Sequence, residues 1–241
     1  MGWSYNFWKN NFYSKNAKPE NFLEEYSQHF NTVEVNSSFY KVPSISDLKK
    51  WKKQTTDKFI FSIKAPKKIT HQQNLEYLEY FLENISTLKP KLGPILLQFP
   101  PSYKLENFTE LKNLISVLPK KQKHAIELRN NSWFIPETYN LLTENKIALV
   151  MTDKVWLEEK EKITTDFVYF RWQGNRKQIK GTKGIEEKNK TIQIQKYAKK
   201  IKTYPNNMEI FGYFSKYFSG HPPTDAKKIL KLLQNKNNVN S

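Results

Sequence analysis

The feature that most constrains the fold is a regular alternation of short β-branched or aromatic runs with helical periodicity. Seven runs are typical of buried strands, and they cover residues 31–36, 59–64, 94–99, 125–129, 147–152, 167–171 and 208–214. Apolar residues at helical spacing lie between them and predict helices over residues 19–30, 46–55, 75–88, 108–118, 135–145, 192–203 and 224–234. Strands that alternate with helices predict an α/β protein with a parallel sheet.

Two parallel architectures fit this alternation, an open doubly wound sheet and a closed (β/α)8 TIM barrel. The chain has only 7 glycines and no Gly-rich phosphate loop after its early strands, which is unfavourable for a dinucleotide-binding sheet. A length of 241 residues favours the barrel. Its first strand would have to come from residues 1–4, which supply about half a strand. We therefore predict one TIM-barrel domain over residues 1–234 with a truncated or incomplete first strand, followed by a disordered polar tail over residues 235–241.

The composition excludes several classes of protein and of site. Without cysteine the chain has no disulfides, no thiol nucleophile and no Cys-ligated zinc. Its apolar runs are shorter than the roughly 18–20 residues that a membrane helix needs, and no secretory signal is visible at the start. A metal centre would favour a histidine at the end of a strand, and no predicted strand ends in one. We therefore expect a cytoplasmic protein with no membrane partner, no metal and no cofactor, of unspecified oligomeric state.

The formal net charge is +17, and it allows two interpretations. Lysines scattered over helix faces could form a solvated surface, or they could bind a polyanion such as a nucleic acid. Only three of the 40 basic residues are arginines, namely Arg129, Arg171 and Arg176. Because a guanidinium binds carboxylates and phosphates through a planar fork that an ammonium cannot copy, the arginines indicate sites where lysine would not serve. Two of the three stand at the ends of predicted strands.

Polar side chains collect where the predicted strands end. In a barrel these carboxyl ends carry the chemistry. The residues at or just after them are Glu34, Asn36, Tyr40, Lys64, His71, Gln98, Glu127, Arg129, Trp133, Asp153, Arg171 and Gln173. One interpretation is an ion-pair network of Glu34, Lys64, Glu127 and Arg129 that fills the barrel. The other is a pocket for anions or hydroxyl groups, with carboxylates as acid and base.

On the second interpretation the residues take distinct roles. Glu127 would be the general base, Glu34 a second carboxylate and His71 the proton donor. The expected substrate-binding residues are Arg129, Arg171, Lys64, Asn36, Gln98, Tyr40, Trp133, Asp153 and Gln173. The expected substrate is a small anionic molecule, phosphorylated or sugar-like, and hydrolase, lyase and isomerase chemistry all stay open. The alternative function is nucleic-acid binding through the lysine surface and exposed aromatic rings.

The motifs occur in an order that resembles a known family. They are Gly2-Trp3-Ser4-Tyr5 with Trp8 and Phe12-Tyr13, Val33-Glu34-Val35-Asn36 with Phe39-Tyr40 and Pro43, Lys64 with Thr70-His71, Gln98-Phe99-Pro100, Glu127-Leu128-Arg129 with Ser132-Trp133, and Arg171 with Gly174. Together they resemble the YecE-like family, a TIM-barrel family of unknown function. The resemblance extends over essentially the whole chain. It implies the barrel fold and implies little about the chemistry.

Three departures from the family pattern bear on the expectations. The family usually has several more residues before the motif that begins at Gly2, so either the true start lies upstream or a stub closes the barrel. Gln173 stands where the family tends to have histidine, and an amide cannot shuttle a proton near neutral pH. Ser215 and Lys216 replace a pair of asparagines, which adds positive charge.

Overall fold

The fold is a mixed α/β arrangement in which every strand pair is parallel. A computed structural model describes residues 1–153 and 162–234, so the predicted tail over residues 235–241 lies outside the described residues. The strands are β1 (Thr32–Val35), β2 (Ile60–Lys64), β3 (Leu92–Gln98), β4 (His124–Glu127), β5 (Ala148–Leu149), β6 (Met151–Thr152), β7 (Phe167–Trp172) and β8 (Glu209–Phe214). The seven strands predicted from hydrophobic runs are confirmed within a few residues, but residues 1–4, expected as a truncated first strand, form no strand.

These strands form two parallel sheets. Five of them pair in the order β1-β2-β3-β4-β5, and the other three pair in the order β6-β7-β8. In register, Gln98 pairs with Glu127 across β3 and β4, and Thr152 pairs with Arg171 across β6 and β7. The described residues therefore confirm an α/β fold with parallel sheets, and they form two sheets rather than one closed sheet of eight strands.

The predicted strand over residues 147–152 changes its pairing partner half-way. Its first part, β5, pairs with β4, and the amide of Val150 continues that ladder by donating to the Ile126 carbonyl at 2.9 Å. Its second part, β6, pairs with β7 instead. The segment thus ends one sheet and begins the other. A continuous hydrophobic run predicts that both faces of a strand are buried. It does not predict which strands pair with it, so the change of partner could not be seen in the pattern.

In residues 1–153 and 162–234, eight helices lie between or beside the strands, and short 3-10 turns precede several of them. They are α1 (Phe22–His29), α2 (Ile45–Gln54), α3 (Lys67–Thr70), α4 (Glu76–Ser86), α5 (Phe108–Ser116), α6 (Pro136–Glu144), α7 (Thr191–Ile201) and α8 (Pro222–Gln234). Ser44 starts α2 with a capping box, because its Oγ accepts from the Asp47 amide and the Asp47 carboxylate accepts from the Ser44 amide. The helix predicted from residue 19 begins as a 3-10 turn over Pro19–Asn21. None of the helices in the described part of the chain has the length and apolar character that crossing a membrane requires.

Three apolar clusters hold the layers together. The first joins β1–β5 to α1, α2, α4, α5 and α6, and the second joins β6–β8 to α7 and α8. The third takes alternate residues from both sheets, namely Leu96, Ala125, Ala148, Val150, Phe167, Tyr169, Phe211 and Tyr213. Successive residues along a strand lie on opposite faces, so the strands present one face to the helices and the other to this third cluster.

The first two residues lie between the outer strands of the two sheets. The Met1 nitrogen donates to the Phe214 carbonyl of β8 at 2.9 Å, and the Gly2 amide donates to the Glu34 carbonyl of β1 at 2.9 Å. A side-chain hydrogen bond of 2.8 Å between Thr32 Oγ1 and the Tyr213 hydroxyl also links β1 to β8. The segment therefore connects the free edges of the two sheets at the ends that carry the polar residues.

We expect Gly174→Ala to destabilise the protein strongly. Gly174 has a φ of +62°, and an added Cβ would lie 2.1 Å from the Tyr217 carbonyl oxygen, which is backbone and cannot move aside cheaply. Strain and overlap together should lower the free energy of unfolding, measured in urea, by at least about 3 kcal/mol. Gly2→Ala is the matched control, since Gly2 also has a positive φ of +70° but its Cβ would contact only the Tyr5 side chain at 3.2 Å. Equal losses in the two variants would contradict the packing argument.

Candidate functional site

Arg171 is the centre of the polar cluster at the carboxyl ends of the strands. It is buried on β7, and its Nε donates to Glu34 Oε2 at 2.8 Å while its Nη2 donates to Glu34 Oε1 at 2.9 Å. Its Nη1 forms an ion pair with Glu127. The guanidinium therefore joins a carboxylate on β1 to a carboxylate on β4, through the planar fork that lysine lacks.

Both carboxylates accept further hydrogen bonds inside the protein. Glu34 accepts from the Tyr169 hydroxyl at 2.9 Å and from Asn36 Nδ2 at 2.9 Å. On Glu127, Oε1 accepts from Arg129 Nε at 2.7 Å and from Gln173 Nε2 at 3.0 Å, and Oε2 accepts from Gln98 Nε2 at 2.9 Å. Each carboxylate oxygen thus has at least two donors, as buried charge requires.

Charge pairing determines the protonation state of these carboxylates. Burial alone would raise the pKa of Glu34, but the Arg171 guanidinium outweighs it and lowers that pKa below its usual range. For Glu127, burial is again opposed by Arg171 and by Arg129, and its pKa is held well below the ordinary value. Both groups are therefore carboxylates at neutral pH.

Lys64 stands at the end of β2, where its ammonium has neutral neighbours. Its Nζ donates to Gln98 Oε1 at 2.7 Å and lies 3.8 Å from the centre of the Phe39 ring. Burial and the Arg171 charge, against the opposing effect of Glu34, together lower the pKa of Lys64 to about 8. A substantial fraction of this amine is therefore neutral under mildly basic conditions.

His71 follows α3 and is exposed beside the cluster. Its Nδ1 is in hydrogen-bond contact with Thr70 Oγ1 at 2.8 Å, and its ring packs edge-on against Phe39 with centroids 5.1 Å apart. Burial lowers the pKa of His71, and the positive charges of Lys64 and Arg129 lower it further. Because Nδ1 is engaged by Thr70, Nε2 is the ring nitrogen available to a ligand.

The structure does not bring every expected residue into this cluster. Asp153 accepts from the amides of Gln173 at 2.5 Å and Gly174 at 3.0 Å, and so anchors the loop after β7. Tyr40 is 80% exposed and contacts the Phe39 ring. Trp133 is fully buried and donates from Nε1 to the Tyr103 carbonyl at 2.7 Å. Trp133 therefore packs in the core, away from the polar cluster.

The tryptophans bear on the nucleic-acid alternative, which needs exposed rings for stacking. Trp8, Trp133 and Trp172 are buried, and the half-buried Trp3 and Trp51 pack edge to face with ring centroids 5.1 Å apart. Among the residues that the structure describes, no tryptophan is therefore exposed for base stacking. Nucleic-acid binding stays a prediction supported by the net charge.

The described residues contain no group of three histidines, aspartates or glutamates placed to hold a metal ion. The two carboxylates of the cluster are paired with arginines instead.

Comparison with known proteins identifies the family. The family model described as "Protein of unknown function DUF72" matches residues 1–241. The chain belongs to the DUF72 family. It is 34% identical over 116 residues to UPF0759 protein YecE of Escherichia coli (strain K12), a match that covers 46% of this chain and 43% of that protein. It is 36% identical over 132 residues to UPF0759 protein YunF of Bacillus subtilis (strain 168), covering 48% of this chain and 45% of that protein. These matches span less than half the length of the curated relatives.

Solved structures of other DUF72 proteins resemble this chain over most of its length. A DUF72 family protein from Thermotoga maritima MSB8 superposes with a TM-score of 0.82 at 26% identity, covering 97% of this chain and 96% of the other. A DUF72 family protein from Enterococcus faecalis V583 gives a TM-score of 0.71 at 25% identity, covering 88% of each chain. The confirmed family membership therefore agrees with the resemblance seen in the sequence motifs.

Two members of the cluster escaped the sequence analysis. The Tyr169 hydroxyl donates to Glu34 and is in hydrogen-bond contact with Ser62 Oγ at 2.7 Å. Tyr169 precedes Arg171 by two residues and Ser62 precedes Lys64 by two, so each lies on the same face of its strand as the charged residue. In this DUF72 chain, a search for polar residues two positions before each charged strand-end residue could have identified both Tyr169 and Ser62.

We expect Arg171→Lys to destabilise the protein by about 3–5 kcal/mol, because one ammonium cannot bridge Glu34 and Glu127 and a buried carboxylate loses its partner. Urea denaturation at pH 7 measures this loss. Arg176→Lys is the matched control, since Arg176 is exposed and should change stability by less than about 0.5 kcal/mol. An Arg171→Lys variant as stable as the control would show that the bridge contributes nothing.

Acid should destabilise the protein through the same two carboxylates. A carboxyl group whose pKa is lowered in the folded state stabilises the fold above its unfolded pKa, near 4.5, and this stability is lost as the pH falls through the folded pKa. The free energy of unfolding should therefore fall steeply below about pH 4.5, and less steeply in Arg171→Lys. Parallel pH profiles in the two proteins would contradict the pairing.

Proposed function

We propose that this DUF72 chain is an enzyme that acts on a small anionic substrate, phosphorylated or sugar-like, at the carboxyl ends of its strands. The observation that carries the proposal is that Arg129, Lys64 and His71 lie close together. They are beside Glu34 and Glu127, whose carboxylates are already paired with arginines. The Arg129 side chain is 21% exposed and that of Arg171 is 4% exposed, so Arg129 is the guanidinium that a ligand can reach.

The charge balance of the cluster supports an anionic ligand. The cluster contains two carboxylates, those of Glu34 and Glu127. It contains three basic side chains, those of Arg129, Arg171 and Lys64, so one positive charge is in excess when Lys64 is protonated. Arg129 Nε donates to Glu127 while its Nη2 donates to Gln173 Oε1 at 3.2 Å. This arrangement fixes the plane of the guanidinium before a ligand arrives, which reduces the entropic cost of binding.

The geometry favours a division of roles between buried and exposed groups. A carboxylate with saturated oxygens and a low pKa is a weak base, so we propose that Glu127 and Glu34 orient Arg129 and Arg171. His71 would exchange the proton with the substrate. Asn36, Gln98, Gln173 and Tyr40 would contact hydroxyl groups, and these assignments stay predictions. The proposed division replaces the expectation that Glu127 is the general base. Hydrolysis, elimination and isomerisation all stay open.

We further propose that the two sheets form a single (β/α)8 barrel with residues 1–2 as its stub strand. The partner change at Val150 supports continuity between the sheets on one side. The hydrogen bonds from Met1 to Phe214 and from Gly2 to Glu34 support it on the other. The apolar cluster drawn from alternate residues of both sheets supports a common interior. In such a barrel the polar cluster would lie at the mouth where catalytic residues collect.

A thermal-shift panel of sugar phosphates and matched neutral sugars tests the proposed function. We expect at least one sugar phosphate to raise the melting temperature by several degrees at constant ionic strength, since a ligand that binds only the folded state stabilises it. Arg129→Gln should abolish the shift, because it removes the reachable guanidinium. Arg176→Gln should keep it.

Two results would contradict the proposal. One is a panel in which no phosphorylated compound exceeds its neutral partner. The other is an Arg129→Gln variant that responds as the wild type does.

A further inference from the structure

We propose that Lys64 is an amine nucleophile that condenses with the carbonyl group of a phosphorylated aldehyde or ketone. This inference rests on the proposed function and narrows its substrate class to anionic carbonyl compounds. It also changes the role of Lys64 from binding the anion to bonding with the substrate, and it leaves the anion to Arg129.

The contacts of Lys64 differ from those of a lysine held in an ion pair. Its Nζ has an amide oxygen of Gln98 and the face of Phe39 as neighbours, and among the described residues no carboxylate lies within ion-pair distance of it. The two carboxylates of the cluster are bound to arginines instead. A lysine without a carboxylate partner is the kind that enzymes use as a nucleophile.

Lys91 provides an internal comparison within the same fold. It is buried as well, but its Nζ donates to the carbonyls of Lys52 at 2.8 Å and Thr55 at 2.9 Å and to Thr55 Oγ1 at 3.1 Å. Three oxygen acceptors use all three protons of its ammonium, although burial lowers the pKa of Lys91 from its ordinary value as well. Lys91 also precedes β3, so it lies at the opposite end of the sheet from Lys64. It is therefore a structural lysine, and Lys64 differs from it in both respects.

The charges around Lys64 agree with a reactive amine. Arg171 and Arg129 disfavour its protonation, and Glu34 and Glu127 favour it, while burial adds to the effect of the arginines and brings the pKa to about 8. His71 is a further titratable group nearby, and its ring contacts the same Phe39 ring as the Lys64 ammonium does. At pH 7.5 the neutral fraction of such an amine exceeds that of an exposed lysine by roughly two orders of magnitude.

The reaction needs no reagent beyond the substrate. The lone pair of Nζ forms a bond to the carbonyl carbon, the π bond of the carbonyl breaks toward oxygen, and that oxygen takes up a proton while nitrogen gives one up. The nitrogen of the resulting carbinolamine then gives up its second proton, the hydroxyl group leaves with it as water, and an imine forms, so amine plus carbonyl becomes imine plus water. His71, which contacts Phe39 beside Lys64, would carry the proton between nitrogen and oxygen, and Arg129 would bind the phosphate.

Reductive trapping tests the inference with the full chain. Dihydroxyacetone phosphate is added at pH 7.5, sodium borohydride reduces any imine to a stable secondary amine, and peptide mass spectrometry locates the label. We expect Lys64 to be labelled at least about 10-fold faster than the exposed Lys67 and Lys68 and than the buried Lys91, with a midpoint near pH 8. Lys64→Arg should lose the fast label and keep the melting temperature within a few degrees.

Labelling of Lys64 no faster than Lys67 and Lys68, or labelling that rises only above about pH 10, would overturn the inference. Neutral dihydroxyacetone, run in parallel, separates this outcome from failure of the proposed function. Fast labelling of Lys64 by both compounds at equal rates supports the nucleophile and contradicts the anion pocket. A phosphate-specific thermal shift with no labelling of Lys64 contradicts the nucleophile and supports the anion pocket.

Discussion

The buried guanidinium of Arg171 is the interaction on which the rest of the cluster depends. It binds Glu34 on β1 through two nitrogens and Glu127 on β4 through the third, and so ties together strands of two different sheets. Two carboxylates buried this close would repel each other without a cation between them. Desolvating three charges costs several kcal/mol per ion, and the network recovers it only because each carboxylate oxygen has further donors.

The ion pairs of Arg171 with Glu34 and Glu127 also limit which side chains can react with a ligand. Because the carboxylates are committed to Arg171 and Arg129, the proposed function assigns proton transfer and bond formation to Lys64 and His71 at the edge of the network. Burial and the positive charges around them lower the pKa of both. The two interpretations of the strand-end residues are therefore compatible: an ion-pair network forms the base of the cluster, and it positions the basic groups that would meet an anionic ligand.

Much of this arrangement could be predicted from the sequence. Parallel strands place their carboxyl ends together, so Glu34, Glu127 and Arg171 were expected to meet. Three features depend on contacts between distant residues and could not be read from local patterns. The change of partner at Val150 depends on which edges are unpaired, and the burial of Trp133 depends on where Tyr103 packs. The proposed roles of Glu34 and Glu127 depend on how many donors reach each carboxylate oxygen. The spacing of residues in the sequence does not show that number.

The most direct test of this account is a carboxyl NMR titration of the protein labelled with ¹³C at its glutamate side chains, with Glu34 and Glu127 assigned by substitution. The account predicts that neither signal titrates between about pH 5 and 9, because guanidinium pairing keeps both groups ionised. A midpoint between about pH 5 and 8 for either carboxylate would contradict it. Such a group would bind and release a proton at working pH, and it would return to the role of general acid or base.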